Sequence, residues 1–185
     1  MTCGVTSMRV LVVYESMYGQ TGAVAERVAL GLTRTHPTLL MPVPRATPDE
    51  IAAADVLVVG APTHHHGLST TESRQVAAEY AEAGAIPQQM RADPLVPGIR
   101  EWLEALSPPP GCRGVAFDTR VDGPTILTGR AVHEIDKGLA RAGALIVAAP
   151  ESFLVNMDSS LVAGEGDRAE AWGLQLGAAL TALEV

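Results

Sequence analysis

The sequence predicts a doubly wound α/β domain, in which an open parallel β-sheet is covered by helices on both faces. The strongly apolar runs are short and continuous rather than alternating, which is typical of strands buried on both sides. Segments with helical spacing of apolar residues separate these runs, so the chain repeats strand, helix, strand. The 185 residues suit a single domain. We place it at residues 8–185 and expect residues 1–7 to form a flexible tail.

Five candidate strands follow one another along the chain. A weak one at Thr38–Val43 contains Pro42, which cannot donate to a ladder and therefore indicates an edge strand. The four stronger ones are the continuous apolar runs Val10–Tyr14, Val56–Gly60, Gly114–Phe117 and Leu145–Ala149.

Helical stripes of apolar residues lie between and after these strands. Their boundaries carry start and stop signals, among them Pro37, Pro97 and Gly143. The irregular stretch from Gly67 to Pro97 carries one further helical pattern around Glu72–Glu82. We expect both tryptophans to be core residues. The stripes are Val24, Val28 and Leu32; Ile99, Trp102, Leu103 and Leu106; Ala131, Ile135 and Leu139; and Ala169, Trp172, Leu176 and Leu180.

Composition excludes several classes of partner. The formal net charge is −8 and Lys137 is the single lysine, so the clustered cations that bind nucleic acid are missing. No stretch approaches the roughly 20 apolar residues that cross a bilayer. Cys3 and Cys112 have neither metal-ligand nor redox spacing, which favours a reducing cytoplasm. The negative net charge would attract basic protein partners, or it contributes only to solubility.

Polar loops follow the first and third candidate strands, at the sheet edge where doubly wound folds bind ligands. The first loop has no GxGxxG pattern and no Lys before a Ser or Thr, so it is neither a dinucleotide fingerprint nor a Walker loop. Its hydroxyl groups and glycine lead into a helix, so it is either a phosphate site built from neutral donors or an ordinary turn. The second loop runs from Gly60 to Gly67 and contains three adjacent histidines.

Together the two loops resemble the flavodoxin family, whose pattern is Ser-x-x-Gly-Asn-Thr after the first strand and Gly-x-Pro-Thr-aromatic after the third. The corresponding segments here are Ser16-Met17-Tyr18-Gly19-Gln20-Thr21 and Gly60-Ala61-Pro62-Thr63-His64, with Gln for Asn and His for Trp. The resemblance implies a three-layer α/β/α fold with five parallel strands in the order 2-1-3-4-5. It also implies a non-covalently bound flavin mononucleotide (FMN).

The resemblance assigns roles by position. The first loop would hold the phosphate through Ser16, Met17, Tyr18, Gly19, Gln20 and Thr21. The second would contact the ribityl chain through Pro62 and Thr63 and the flavin ring through His64, with His65, His66 and Gly67 at the ring edge. The loop after the fourth strand would contribute Phe117, Asp118, Thr119 and Arg120. That loop lacks Tyr and Trp, so one ring face is predicted to be open.

Other kinds of site find less support in the sequence. Adjacent histidines in an extended loop point apart, and no Cys, Glu or Asp with ligand spacing accompanies them, so we predict no metal site. They would instead form a pH-sensitive or proton-delivering patch. No Gly-x-Ser-x-Gly elbow is present. The third strand ends in Gly60-Ala61 rather than an acidic residue, which excludes a phosphoacceptor receiver domain. We predict no catalytic residue.

Three functions remain open at this stage. An electron carrier is favoured by the acidic charge, and we rank it first. An FMN-dependent oxidoreductase that reduces a small acceptor such as a quinone, with a nicotinamide nucleotide as a candidate donor, is favoured by Arg120, Arg130 and the open ring face. A protein-interaction module with weak or no flavin binding is favoured by the departures from the family pattern. We expect a cytoplasmic monomer or weak dimer that meets a redox protein or small acceptor, but no nucleic acid or membrane.

Overall fold

The computed structural model describes residues 7–64, 66–85, 87, 89–90 and 93–184, so most of the expected tail and His65 lie outside the described residues. A parallel sheet forms the middle layer, and helices cover both of its faces. The strands are β1 (Val10–Tyr14), β2 (Thr38–Pro42), β3 (Val56–Pro62), β4 (Arg113–Val121), β5 (Leu145–Ile146) and β6 (Glu151–Val155). The helices are α1 (Gln20–Leu32), α2 (Pro48–Ala52), α3 (Thr71–Glu82), α4 (Ile99–Ala105), α5 (Thr125–Thr128), α6 (Val132–Arg141) and α7 (Glu165–Ala182).

The sheet confirms the predicted strand order. The hydrogen-bonded path is β2-β1-β3-β4-β5, every pairing is parallel, and β2 lies at an edge as Pro42 indicated. The fifth position is shared by two segments, since β5 pairs with the start of β4 and β6 pairs with its end. All the carboxyl ends of the strands therefore lie along one edge of the sheet.

The fifth strand differs in extent from its prediction. Only Leu145–Ile146 pairs with β4, and the chain leaves the sheet before it returns at Glu151. Pro150 has no N–H to donate, which interrupts the ladder between the two segments. The sequence of β6 mixes polar and apolar residues and is not a continuous apolar run, so the pattern that found the other strands missed it.

Alternate residues of the strands supply two cores, one on each face of the sheet. In β1, Val10 and Val12 pack beneath α1 and α7, while Leu11 and Val13 pack beneath α4 and α6. The continuous apolar runs are explained by this burial on both faces, as the sequence predicted.

Helices α1 and α7 pack with their backbones in contact. A Cβ placed on Gly31 would lie 2.3 Å from the carbonyl oxygen of Glu170, and one on Gly173 would lie 2.2 Å from that of Val28. Glycine at these two positions therefore sets the distance between the helices. In the part of the chain that the structure describes, no helix has the length and apolar character needed to cross a membrane.

Candidate functional site

Four loops meet at the carboxyl edge of the sheet and enclose a small cavity. Their positions follow from strand register, since Tyr14 pairs with Gly60, Pro62 with Thr119, and Val121 with Val155. The cavity has a volume of about 190 Å³ and brings parts of all three predicted loops together. Its lining comprises Met17, Tyr18, Gln20, Thr21, Pro62, Thr63, His64, Thr119, Arg120, Val121, Val155 and Ser159.

The loop after β1 is folded around the hydroxyl of Ser16. The backbone N–H groups of Gly19 and Gly22 both donate to Ser16 Oγ, each at 3.1 Å. Gly19 adopts a left-handed conformation, with φ of 98°, and turns the chain into α1. The residue before α1 is Gly19, which has no side chain to cap the helix, and the first N–H groups of a helix have no carbonyl partner within it. Ser16 Oγ accepts from Gly22 in this first turn and leaves the N–H groups of Gln20 and Thr21 available. The N–H groups of Gln20 and Thr21, at the positive end of the helix dipole, are thus placed to bind an anion.

Two threonine hydroxyls join the first loop to β4. Thr21 Oγ1 and Thr119 Oγ1 are 2.7 Å apart, and Thr21 is only 2% exposed. The pair carries two hydroxyl protons, and one of them serves the bond between the two oxygens. One proton is therefore left to donate to a ligand in the cavity.

Thr63 and Asp118 together anchor the start of α6. Val132 N donates to Asp118 Oδ2 at 2.8 Å, and Ala131 N donates to Thr63 Oγ1 at 2.9 Å. Thr63 Oγ1 in turn donates to Asp118 Oδ2 at 3.1 Å. Because the only hydroxyl proton of Thr63 is used in this way, Thr63 can meet a ligand as an acceptor but not as a donor. Burial raises the pKa of the Asp118 carboxyl above its usual range, and its hydrogen-bond donors oppose that shift.

The histidine loop after β3 is a closed turn held against the loop after β4. His64 N donates to Gly67 O at 2.8 Å, and Gly67 N donates to His64 O at 2.9 Å. His66 adopts a positive φ of 75° and packs against Gly129. A Cβ added to Gly129 would lie only 2.1 Å from the Cα of His66. A cavity of about 270 Å³ opens on this side of the turn. Its lining comprises His64, His66, Gly67, Leu68, Thr70, Ser73, Arg100 and Glu134.

The remaining predicted residues lie around the small cavity. Phe117 lies beneath it, with its ring packed so closely on Gly60 that a Cβ there would be 2.0 Å away. Asp118 is fully buried on the α6 side. Arg120 turns back on its own loop and donates to the carbonyls of Val121 at 3.2 Å and Gly123 at 2.9 Å. Among the described residues, no group of three His, Cys, Asp or Glu side chains could hold a metal ion.

A buried ionic network behind the first loop was not predicted. Glu15 Oε1 accepts from Ser69 Oγ at 2.5 Å, and Glu15 Oε2 accepts from Ile99 N at 2.8 Å. Arg74, only 3% exposed, donates to Ser69 Oγ at 3.0 Å and pairs with Glu101 at 3.2 Å. These contacts join the base of the Ser16 loop to α3 and α4, and so fix its position.

Exposed apolar side chains follow the two neighbouring strands β4 and β6, whose last residues Val121 and Val155 line the small cavity. Ile126 is 86% exposed, Leu127 70% and Met157 83%. Ile126 and Leu127 belong to α5, after β4, and Met157 follows β6. The two segments leave the sheet side by side because Val121 pairs with Val155. We call these three residues the apolar rim. Sequence reasoning missed Met157 and the cavity residues Val155 and Ser159, because it missed the strand that precedes them.

Fold and site together define a doubly wound protein with neutral hydrogen-bond donors at the start of its first helix. The chain belongs to the flavodoxin family, whose model matches residues 12–106, just over half of the 185 residues. Proteins of this family bind FMN, which confirms FMN as the cofactor. The N–H groups of Gln20 and Thr21 are suited to bind the phosphate of FMN. The remaining hydroxyl proton of the Thr21–Thr119 pair is suited to an oxygen of the same ligand.

Solved structures share the fold at low sequence identity. A flavodoxin from the domain Archaea superposes with a TM-score of 0.64 at 17% identity, over 94% of this chain and 99% of that one. Flavodoxin 2 of Bacillus cereus gives 0.63 at 16% identity, over 95% and 99%. The flavodiiron protein of Giardia intestinalis gives 0.58 at 18% identity, over 95% of this chain but only 37% of that one. No curated protein gives a significant match.

Proposed function

We propose that this chain is an electron carrier that passes electrons between its FMN and partner proteins. The observation that carries this proposal is the apolar rim. Large exposed apolar side chains on neighbouring segments of a protein surface favour contact with another macromolecule, because their exposure to water is unfavourable. A carrier needs such a surface beside its flavin, whereas the reduction of a small molecule does not require one.

FMN, when bound, supplies the electron-transfer chemistry, and the residues of the chain bind and orient it. Gln20 and Thr21 would donate backbone N–H groups to the phosphate. Ser16 would hold the loop in shape through the two N–H groups that it accepts. Pro62 and Thr63 would lie along the ribityl chain, and His64 would lie against the ring.

The charge of the chain indicates the kind of protein partner. The net charge is −8, and Asp122 and Asp158 are exposed on the loops that carry the apolar rim. Hydrogen bonds from Ser160 lower the pKa of Asp158, so this carboxylate stays ionised well into the acidic range. A partner with an apolar patch bordered by Lys and Arg would be complementary to this surface.

A second candidate function is FMN-dependent reduction of a small acceptor such as a quinone. The cavity of about 270 Å³ beside His64 and His66 favours it, because this cavity borders the place where the flavin ring edge is proposed to lie. Concave sites of roughly 300 Å³ are large enough for small ligands.

Electron transfer to two acceptors distinguishes these functions. The acceptors are cytochrome c, which is a basic protein, and a soluble quinone. If the chain is a carrier, Ile126→Ser/Leu127→Ser should slow the reduction of cytochrome c and leave that of the quinone unchanged. The control, Leu30→Ser/Leu174→Ser, changes two exposed leucines on α1 and α7 that do not line the small cavity. Equal rates for cytochrome c in the wild type and the rim variant would contradict the carrier proposal.

A further inference from the structure

We propose that the groove between α4 and α6 binds the nucleoside diphosphate part of a nucleotide. The groove has a volume of about 530 Å³, which lies within the range of roughly 300–1,000 Å³ found for small-molecule sites. It is lined by Leu68, Arg100, Leu103, Glu104, Glu134, Lys137, Ala140 and Arg141.

Two cations on one side of the groove have no carboxylate partner. Lys137 and Arg141 are exposed on α6, and they lie four residues apart, so their side chains share one face of the helix. Among the described residues, neither forms an ion pair. The chain as a whole carries a net charge of −8. Beyond the Arg100–Glu134 pair, these two cations outnumber the one carboxylate of Glu104 in the groove, and this local positive charge on an acidic protein favours an anion such as a diphosphate.

The end of the groove nearest the histidine turn is rigidly built. Arg100 donates to the carbonyls of Leu68 at 2.6 Å and Ser69 at 3.0 Å, and it pairs with Glu134 at 3.1 Å. Further along, α4 and α6 pack tightly, since a Cβ on Gly138 would lie 2.8 Å from a methyl carbon of Leu103. The groove is therefore formed by fixed helices and does not depend on a mobile loop.

The other lining groups suit the remaining parts of a nucleotide. Leu68 and Leu103 are buried and give the groove an apolar floor on which a flat base can pack. Glu104 is exposed at its edge, where a carboxylate can accept hydrogen bonds from ribose hydroxyls. Apolar contact for a base, an acceptor for a sugar and cations for a diphosphate are thus combined in one cavity.

The groove is continuous with the cavity beside the histidine turn. Leu68, Arg100 and Glu134 line both, and the second cavity extends to His64 and His66. Arg141 follows Glu134 by seven residues, a distance of about 10 Å along the helix. The base would therefore lie at the end of the groove nearest this turn, and the diphosphate at the end farthest from it.

Titration calorimetry with ADP tests the proposal on the full chain. Lys137→Ala/Arg141→Ala should weaken ADP binding by roughly 10- to 100-fold, as expected when charge-assisted hydrogen bonds are lost. The control, Arg34→Ala/Arg45→Ala, removes two other cations that form no ion pair among the described residues, and it should bind ADP like the wild type.

Three results would overturn the proposal. They are no ADP binding to the wild type at millimolar concentration, equal weakening in both double variants, and inorganic pyrophosphate that binds as tightly as ADP. The last result would show that the groove recognises phosphate charge without the nucleoside. FMN titration of the same variants should give the wild-type affinity. A failure of ADP to bind is thereby distinguished from a failure of the FMN proposal.

Discussion

At the scale of single residues, the proposed FMN site is built from hydroxyl and backbone N–H groups, and its first loop contains no cation. Such donors are oriented by the fold before the ligand arrives, since Ser16 accepts from two loop N–H groups and Thr21 is held by Thr119. Binding therefore depends on where these groups lie more than on net charge. Substitution of one donor should therefore lower the affinity for FMN.

Thr21→Val removes one hydroxyl of the Thr21–Thr119 pair and keeps the shape of the side chain. We expect FMN binding to weaken by about 1–3 kcal/mol. The reason is that a buried acceptor, either an oxygen of the ligand or Thr119 Oγ1, loses its hydrogen-bond donor. Titration by quenching of FMN fluorescence measures the affinity. Thr181→Val, which removes a hydroxyl on α7, serves as the control.

Thr119→Val should weaken FMN binding by a similar amount. Because the two hydroxyls share a proton, the double variant should lose less than the sum of the single losses. Strictly additive losses, or unchanged affinity in both single variants, would contradict the role of this pair.

Cys112 is buried, and its burial, together with the charge of Asp55, raises the pKa of its thiol to about 11. At pH 8 the thiol is therefore almost wholly protonated, and the reactive thiolate is scarce. In a Cys3→Ser background we expect Cys112 to be inert to Ellman's reagent in the native protein and to react fully in guanidinium chloride. Rapid reaction of the native protein at pH 8 would show that the thiol is accessible and ionised.

At the scale of elements, α6 begins on side chains of neighbouring strands rather than on a cap of its own. Asp118 and Thr63 lie at the ends of β4 and β3 and accept the first N–H groups of the helix. This arrangement stabilises the helix terminus, and it places a carboxyl group in a fully buried position beneath the proposed FMN site.

The buried carboxyl of Asp118 predicts a pH dependence of stability. Since its pKa is raised in the folded state, the folded protein holds this proton more tightly than the unfolded chain. The buried charge thus destabilises the protein at neutral pH, and that cost disappears as the pH falls through the raised pKa. The free energy of unfolding of the wild type, relative to Asp118→Asn, should therefore increase as the pH falls. Urea denaturation across the acidic range measures it.

Asp158 supplies a comparison with the opposite sign. Hydrogen bonds from Ser160 lower the pKa of this exposed carboxyl, so its contribution is present at neutral pH and is lost as the pH falls through the lowered pKa. The wild type should lose stability relative to Asp158→Asn over that range. The same slope for both variants would contradict the environments described for these two residues.

The contact between α1 and α7 depends on Gly173. Gly173→Ala would place a methyl group 2.2 Å from the carbonyl oxygen of Val28, and we expect a destabilisation of about 1–3 kcal/mol from overpacking. Gly166→Ala in the same helix has no neighbour nearer than 3.9 Å, and it should be neutral or slightly stabilising. Urea denaturation compares the two, and equal stabilities would show that the helices can separate without cost.

Most elements could be predicted from the sequence because burial on both faces leaves a local pattern. The continuous apolar runs located β1 and β3, and the stripe of Val24, Val28 and Leu32 located α1. The strand β6 left no such pattern. The anchoring of α6 by Asp118 and the network around Arg74 join residues distant in sequence, and no local pattern carries that information. For the same reason, the sequence did not predict Val155 and Ser159 as residues of the small cavity.

At the scale of the whole molecule, charge and apolar surface are distributed unevenly. The net charge is −8, and the apolar rim lies on two segments that follow strands beside the proposed FMN site. Lys137 and Arg141, which form no ion pair in the described part of the chain, line the groove between α4 and α6. Long-range attraction would bring a basic protein to this chain, and the rim would hold it in contact. The rate of electron transfer to such a protein should fall as ionic strength rises, since screening weakens the attraction.

The most direct test of the carrier proposal is an FMN titration followed by stepwise anaerobic reduction, monitored by absorption. We expect one FMN to bind per chain and the reduction to proceed in two resolved one-electron steps, because a carrier must deliver electrons singly. Reduction in a single two-electron step would contradict the carrier and favour the reduction of a small acceptor. If no FMN bound, the cofactor and both proposed functions would be wrong.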